Sequence, residues 1–150
     1  ENIVPFNRQG DKPIVVIESD RGQLHEKIIE DIKSLNNQGF EHTAIICKTL
    51  DESQQVYESL KDHLTLKKVT KTTPSFVKGT LVIPSYLAKG VEFDAVIIYN
   101  ASNEVYARES ERKLFYTVCT RAMHLLHMYS LGEPSHFITD VSLEKYVVTP

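Results

Sequence analysis

No stretch of this chain follows the pattern G-x-x-x-x-G-K-S/T, so nothing in it can wrap a triphosphate in backbone N–H groups. No apolar run approaches the roughly 20 residues that cross a bilayer, and no leader pattern opens the sequence. No membrane partner is expected, and a cytoplasmic location is. Cysteine is scarce: Cys47 and Cys119 are the 2 in 150 residues, each among apolar neighbours, as buried thiols of a reducing compartment would be. There is no C-x-x-C and no H-E-x-x-H, and Ser135-His136 lacks the G-x-S-x-G elbow. His124 and His127 at i,i+3 on a strand would face opposite sides, so no metal site is expected. A formal net charge of −3 and a pI near 6.1 exclude a surface that coats phosphates generally. Any nucleic-acid contact must be local or must share its charge with another domain.

What is present describes one globular domain, 41% hydrophobic and 25% charged. The chain opens at Glu1 rather than Met, and a fragment or processed product is expected. Residues 1–12, with Pro5 and Gly10, read as a linker or edge segment. Pro13–Ile17 is an apolar β-branched run of strand length, and Thr43–Cys47, Leu66–Val69, Thr80–Ile83, Ala95–Tyr99 and Leu125–Ser130 are further strand candidates. Asp20 with Gln23 and Thr49 with Glu52 have capping-box spacing. The first opens a helix with Leu24, Ile28, Ile32 and Leu35 on one face, closed by Gly39. The second opens one striped by Val56, Leu60 and Leu64. A third helix is expected over about Arg108–Met123, and the tail to Pro150 is ambiguous.

Strands apolar on both faces, alternating with amphipathic helices, predict an α/β domain with a mainly parallel sheet covered on both sides. One connection resists: only ten residues lie between Pro84 and Ala95, tight for a parallel crossover. Either a very short helical turn serves there or that pair is arranged differently. Ligands of such folds gather beyond the carboxyl ends of the strands, where the stretch after Thr80–Ile83 is expected.

Two stretches carry the candidate chemistry: Ala88-Lys89-Gly90-Val91-Glu92-Phe93-Asp94 and Glu111–Ala122, which reads ERKLFYTVCTRA. Arg121 would sit in the last turn of the third helix. There it either complements the negative helix terminus or holds a rigid fork of donors for charge on a transferring phosphate. Lys89 and Glu92 are either solvated turn charges or, with Gly90 admitting a close approach and Phe93 anchoring the turn, a place for Glu92 to accept from a sugar hydroxyl.

In order, AKGVEFDAVII and ERKLFYTVCTRAMHLL resemble motifs V and VI of the second RecA-like motor domain of superfamily 1 helicases, the UvrD/Rep/PcrA group. TAIICKTLDESQQVYESL is similar to that group's strand, polar turn and helix. The wording of PFNRQGDKP, SYLAKG and TRAMHLLHMYS looks closest to the HelD (helicase IV-like) branch. The resemblance implies a RecA-like three-layer domain of P-loop NTPase type without its own Walker A loop, spanning residues 1–150. It implies that Arg121 reaches the γ-phosphate, that Glu92 contacts the ribose, and that Lys89 and Gly90 form the turn coupling nucleotide state to the strand groove. Tyr116 and Thr120 match positions supporting the motif VI helix. Tyr86 stands where many members have histidine, and Pro84 where they have threonine; Ser85 and Tyr86 are the nucleic-acid candidates, an aromatic being able to stack on a base. The motif IV arginine has no match.

The same resemblance implies a motor fragment that is inactive alone. ATP and Mg²⁺ would be held mainly by an N-terminal motor domain of the same protein, with single-stranded DNA or a duplex junction as the track. The alternative is a HelD-like ATPase associated with RNA polymerase, remodelling complexes without processive unwinding.

Overall fold

A computed structural model describes Phe6 and residues 11–72 and 78–149. Seven strands form one sheet: β1 (Ile14–Glu18), β2 (His42–Cys47), β3 (Leu66–Lys68), β4 (Gly79–Pro84), β5 (Phe93–Ile98), β6 (Ala122–Leu131) and β7 (Val147–Thr149). Their order is β3-β4-β2-β5-β6-β1-β7, and every neighbouring pair is parallel. Such a sheet must be buried on both faces, and the alternation along β2 shows how. Ile45 faces α1 (Arg21–Asn37) and α2 (Leu50–Leu60), among Leu24, Ile28, Val56 and Leu60. Ala44 and Ile46 face α3 (Arg112–Cys119) and α4 (His136–Thr139), with Phe115 and Phe137. The result is three layers.

The helix ends follow the sequence. Asp20 Oδ2 accepts from the Gln23 N–H at 3.2 Å, and Thr49 Oγ1 from the Glu52 N–H at 3.1 Å. The second box is not reciprocal, because Glu52 reaches one residue further back, to the Lys48 N–H at 2.9 Å. At the far end of α1, Gly39 adopts φ +93°, and the Phe40 and Gly39 N–H groups close back on Leu35 and Asn36 at 3.1 Å each. Cys47 and Cys119 are both buried, in the cores on opposite faces of the sheet.

The tight connection is resolved by topology. β4 and β5 are not neighbours; both flank β2. Eight residues, 85–92, return the chain from the top of one to the bottom of the other. A strand of six residues is ~20 Å long, and eight residues can reach ~28 Å extended. One 3-10 turn (Ser85–Leu87) therefore replaces a crossover helix.

The third helix is shorter than its periodicity. A 3-10 turn, Glu109–Glu111, precedes α3, and α3 stops at Cys119. The reason is tertiary: the Phe93 N–H takes the Arg121 carbonyl at 2.8 Å, and Ala122 pairs with Phe93 at the start of β6. The tail adds α4, a 3-10 turn at Leu143–Lys145 and β7 along the free edge of β1. Of the opening segment, Phe6 is described: it is buried edge-to-face against Tyr116 and Tyr146, so this residue belongs to the core. The rest of 1–10 and part of the polar loop after β3 lie outside the described residues.

Candidate functional site

α3 runs antiparallel to the strands and delivers the chain to the amino end of β6. There the Phe93–Arg121 backbone hydrogen bond brings together two stretches far apart in sequence. Phe93 is fully buried, its ring 4.8 Å from that of His42, and it pins the turn that precedes it. Gly90 adopts φ +78°, a left-handed conformation that disfavours any side chain, and a Cβ there would meet nothing within 4 Å. The glycine is thus demanded by the turn rather than by crowding. Lys89 and Glu92 are exposed on this turn, and neither has an ion pair among the described residues.

Arg121 is fixed through its backbone: its N–H donates to the Val118 carbonyl at 3.0 Å, and its carbonyl accepts from Phe93. Its side chain is half-buried. Nη2 donates to Thr120 Oγ1 at 3.2 Å, and Thr120 Oγ1 donates in turn to the Thr117 carbonyl at 2.6 Å. Nε is buried without any hydrogen-bond partner. Among the described residues no carboxylate pairs with Arg121, and the guanidinium bonds no helix carbonyl. Arg121 lies just past the end of α3, and its side chain bonds Thr120 rather than the last helix carbonyls. It is a fork of donors, largely unspent and held in place.

Ser85 and Tyr86 lie at the opposite, carboxyl edge. The Ser85 hydroxyl is buried and donates to the Lys48 carbonyl at 2.7 Å, so it ties β4 to β2. Tyr86 is 42% exposed. The expectation that the whole stretch after Thr80–Ile83 sits beyond the carboxyl ends therefore needs correction. The short return carries Lys89–Glu92 back to the amino edge beside Arg121 and leaves Ser85–Tyr86 behind.

The carboxyl edge also holds a cavity of about 290 Å³ between the starts of α1 and α2, lined in part by Arg21, His25, Glu52 and Tyr99. The Tyr99 hydroxyl accepts from Arg21 Nη1 at 2.8 Å and lies 2.7 Å from His25 Nε2. Burial and the neighbouring Arg21 push the His25 pKa down, while burial pushes Glu52 and Tyr99 up.

The Glu111-Arg112 pair fastens α3. Glu111 pairs with Lys48. Arg112 grips both Glu109 oxygens at 2.9 and 2.7 Å, Asp140 at 2.8 Å and the Tyr116 hydroxyl at 3.1 Å, and lies 4.9 Å over the Phe137 ring. Tyr116 donates to the Phe137 carbonyl at 2.6 Å. Tyr116 and Thr120 thus support this helix and the residue after it. Lys48 and His42 escaped sequence reasoning. Each stands at a strand end, and neither belongs to a recognisable spacing; His42 Nε2 is buried and unpartnered. His127 pairs with Asp31 at 2.6 Å while His124, on the other face of β6, is exposed. Among the described residues no three His, Cys, Asp or Glu side chains gather as a metal site, and no helix is long and apolar enough to cross a membrane.

Residues 80–129, from β4 through most of β6, match the family model described as the UvrD-like helicase C-terminal domain. The crystal structure of the C-terminal domain of a possible DNA helicase from Lactobacillus plantarum WCFS1 is similar over 96% of this chain and 89% of that one, at 36% identity and a TM-score of 0.85. The chain belongs to the UvrD-like helicase C-terminal domain family. None of the curated protein sequences matches it. The C-terminal domain of the DEAD-box protein Dbp5 is 10% identical with a TM-score of 0.62, over 93% of this chain and 89% of that one. The SWI2/SNF2 ATPase core of Sulfolobus solfataricus in complex with dsDNA is 12% identical with a TM-score of 0.56, over 77% of this chain and 27% of that one. At such identities these two speak for the fold alone, which is RecA-like.

Proposed function

We propose that this helicase C-terminal domain is the second motor half of an ATP-dependent DNA helicase or translocase, and that Arg121 is its arginine finger. The observation that carries this reading is the state of that guanidinium. It is anchored by backbone on both sides, lacks a carboxylate and keeps a buried Nε unpartnered, and the residue whose N–H holds it, Phe93, directly follows Glu92. A planar fork so placed suits the equatorial oxygens of a transferring phosphoryl group. Glu92 suits a ribose hydroxyl, and the Lys89-Gly90 turn sets its position. ATP fits such an edge only in part, because the chain has no phosphate loop. The triphosphate and its Mg²⁺ belong mainly to an N-terminal motor domain, and Arg121 engages when the two domains close. Tyr86, exposed on the far edge, would stack on a base of the translocated strand.

Arg121→Ala in the whole protein tests the finger. Hydrolysis is expected to fall by ~10³–10⁵ with ATP affinity little changed, and Arg121→Lys is expected not to restore it. Unchanged turnover would reduce Arg121 to a structural charge. Residues 1–150 alone are expected to show no turnover. A strand-separation assay on the same protein, with and without RNA polymerase, divides unwinding from the HelD-like alternative. ATP-dependent polymerase binding without strand separation would favour the latter.

A further inference from the structure

Each polar group of Lys48 is bonded to a different part of the fold. Its N–H donates to Glu52 in α2, and its carbonyl accepts from Ser85 at the end of β4. Its ammonium donates to the Val105 carbonyl at 2.8 Å, pairs with Glu111, and lies 5.7 Å from the centre of the Tyr106 ring. The two side chains of the pair are only 25% and 17% exposed. Withdrawing such a pair from water is costly unless its remaining donors find acceptors. Here the Val105 carbonyl and the Tyr106 ring provide them. Most solvated loop lysines have none of this.

The pair occupies a particular place. Through Ser85, Lys48 touches the residue beside Tyr86 on the carboxyl edge. Glu111 is the residue on which α3 begins, and Arg112 fixes the same end to Glu109 and Asp140. α3 is 8 residues long, ~12 Å, and its far end hands the chain to Thr120 and Arg121 on the amino edge. A packed helix moves as a unit. The carboxyl edge and the guanidinium are therefore the two ends of one rod.

We propose that the Lys48–Glu111 pair is a positioning strut, carrying occupancy of the Tyr86 edge through Ser85 and α3 to Arg121, so that a bound strand sets the place of the finger. This rests on the function proposed above. It requires that a strand bind more tightly to the arrangement in which the strut is closed; a tenfold stimulation of hydrolysis corresponds to about 1.4 kcal/mol of that preference.

The test is steady-state ATP hydrolysis by the whole protein with and without an oligo-dT strand. Lys48→Met keeps the stem and removes the charge. It is expected to leave the strand-free rate within about twofold and the KM for ATP unchanged, while stimulation by the strand falls by about tenfold or more. Lys48→Arg is expected to restore most of the stimulation. Unchanged stimulation in Lys48→Met overturns the proposal. So does an equal fall of both rates, which is damage to the fold, and so does a wild-type protein whose hydrolysis ignores the strand. If Lys48→Met does not fold, Glu111→Gln, which keeps the shape and removes the partner's charge, is judged by the same readout. Arg121→Ala separates the two ideas, because it should abolish hydrolysis with and without the strand. Should it fail to, the finger is wrong; should only the Lys48 result fail, the strut is wrong and the finger stands.

Discussion

Alanine at Gly90 separates backbone strain from lost function. A Cβ at this position meets nothing within 4 Å, so crowding contributes nothing to the cost. What remains is the left-handed backbone at φ +78°, which costs an L-residue about 1–2 kcal/mol. A rigid turn would pass that cost to the whole domain, and at this chain length the melting temperature would fall by about 2–8 °C. The turn is not rigid in that sense. The Val91 N–H to Ala88 carbonyl bond of 3.2 Å holds it on one side, while β5 is locked only from Phe93 onward. The cheaper response is for residues 88–92 to relax and move Glu92. If Glu92 accepts from the ribose, losing that charged hydrogen bond is worth about 1.5–3 kcal/mol, at least a tenfold rise in the KM for ATP. Gly39 supplies the control, at φ +93° and equally uncrowded, but in the connection from α1 to β2 rather than in the turn that carries Glu92. Gly39→Ala should lower the melting temperature more than Gly90→Ala and leave KM alone. Calorimetry on residues 1–150 and ATP kinetics on the whole protein supply the two readouts. An unchanged KM in Gly90→Ala, or an equal rise in Gly39→Ala, would refute the reasoning.

Two further outcomes concern stability. Hydrogen bonds from Arg112 and His136 hold the Glu109 carboxyl down to about 2, from an ordinary value of 4.5. A depressed pKa gives stability that is complete above the ordinary value and lost as pH falls toward the folded one. The melting temperature of wild type should therefore exceed that of Glu109→Gln at pH 6, and the gap should close between pH 4.5 and 2; a gap independent of pH would contradict the assignment. On the other face, Asp31 accepts from the Tyr129 hydroxyl at 2.6 Å and meets His127 Nδ1 at the same distance. Asp31→Ala strands both, and urea unfolding should show a loss of about 1–3 kcal/mol with an unchanged slope; a loss below about 0.5 kcal/mol would mean that both groups find water instead.

How far the residues announce this architecture depends on where the forces are local. Runs such as Thr43–Cys47 and Ala95–Tyr99 are apolar at every position because the sheet is covered on both faces, and that is legible without partners. The ends of α1 are legible because Asp20 and Gly39 act within one turn of the chain. β7 is not: Val147 and Val148 are half-exposed at an edge, and only the presence of β1 makes them a strand. The end of α3 fails for the same reason and matters more. Periodicity carries the helix on through Ala122 to Met123, which would put Arg121 in the last turn, where the negative helix terminus gives a cation a purely structural role. The Phe93 N–H, a distant donor, takes the Arg121 carbonyl out of the helix instead. That one non-local bond ends α3 at Cys119, opens β6, and brings Phe93, which directly follows Glu92, to Arg121. It also leaves the guanidinium with Thr120 rather than with helix carbonyls. The two stretches that carry the candidate chemistry therefore meet through a contact that no window along the chain contains.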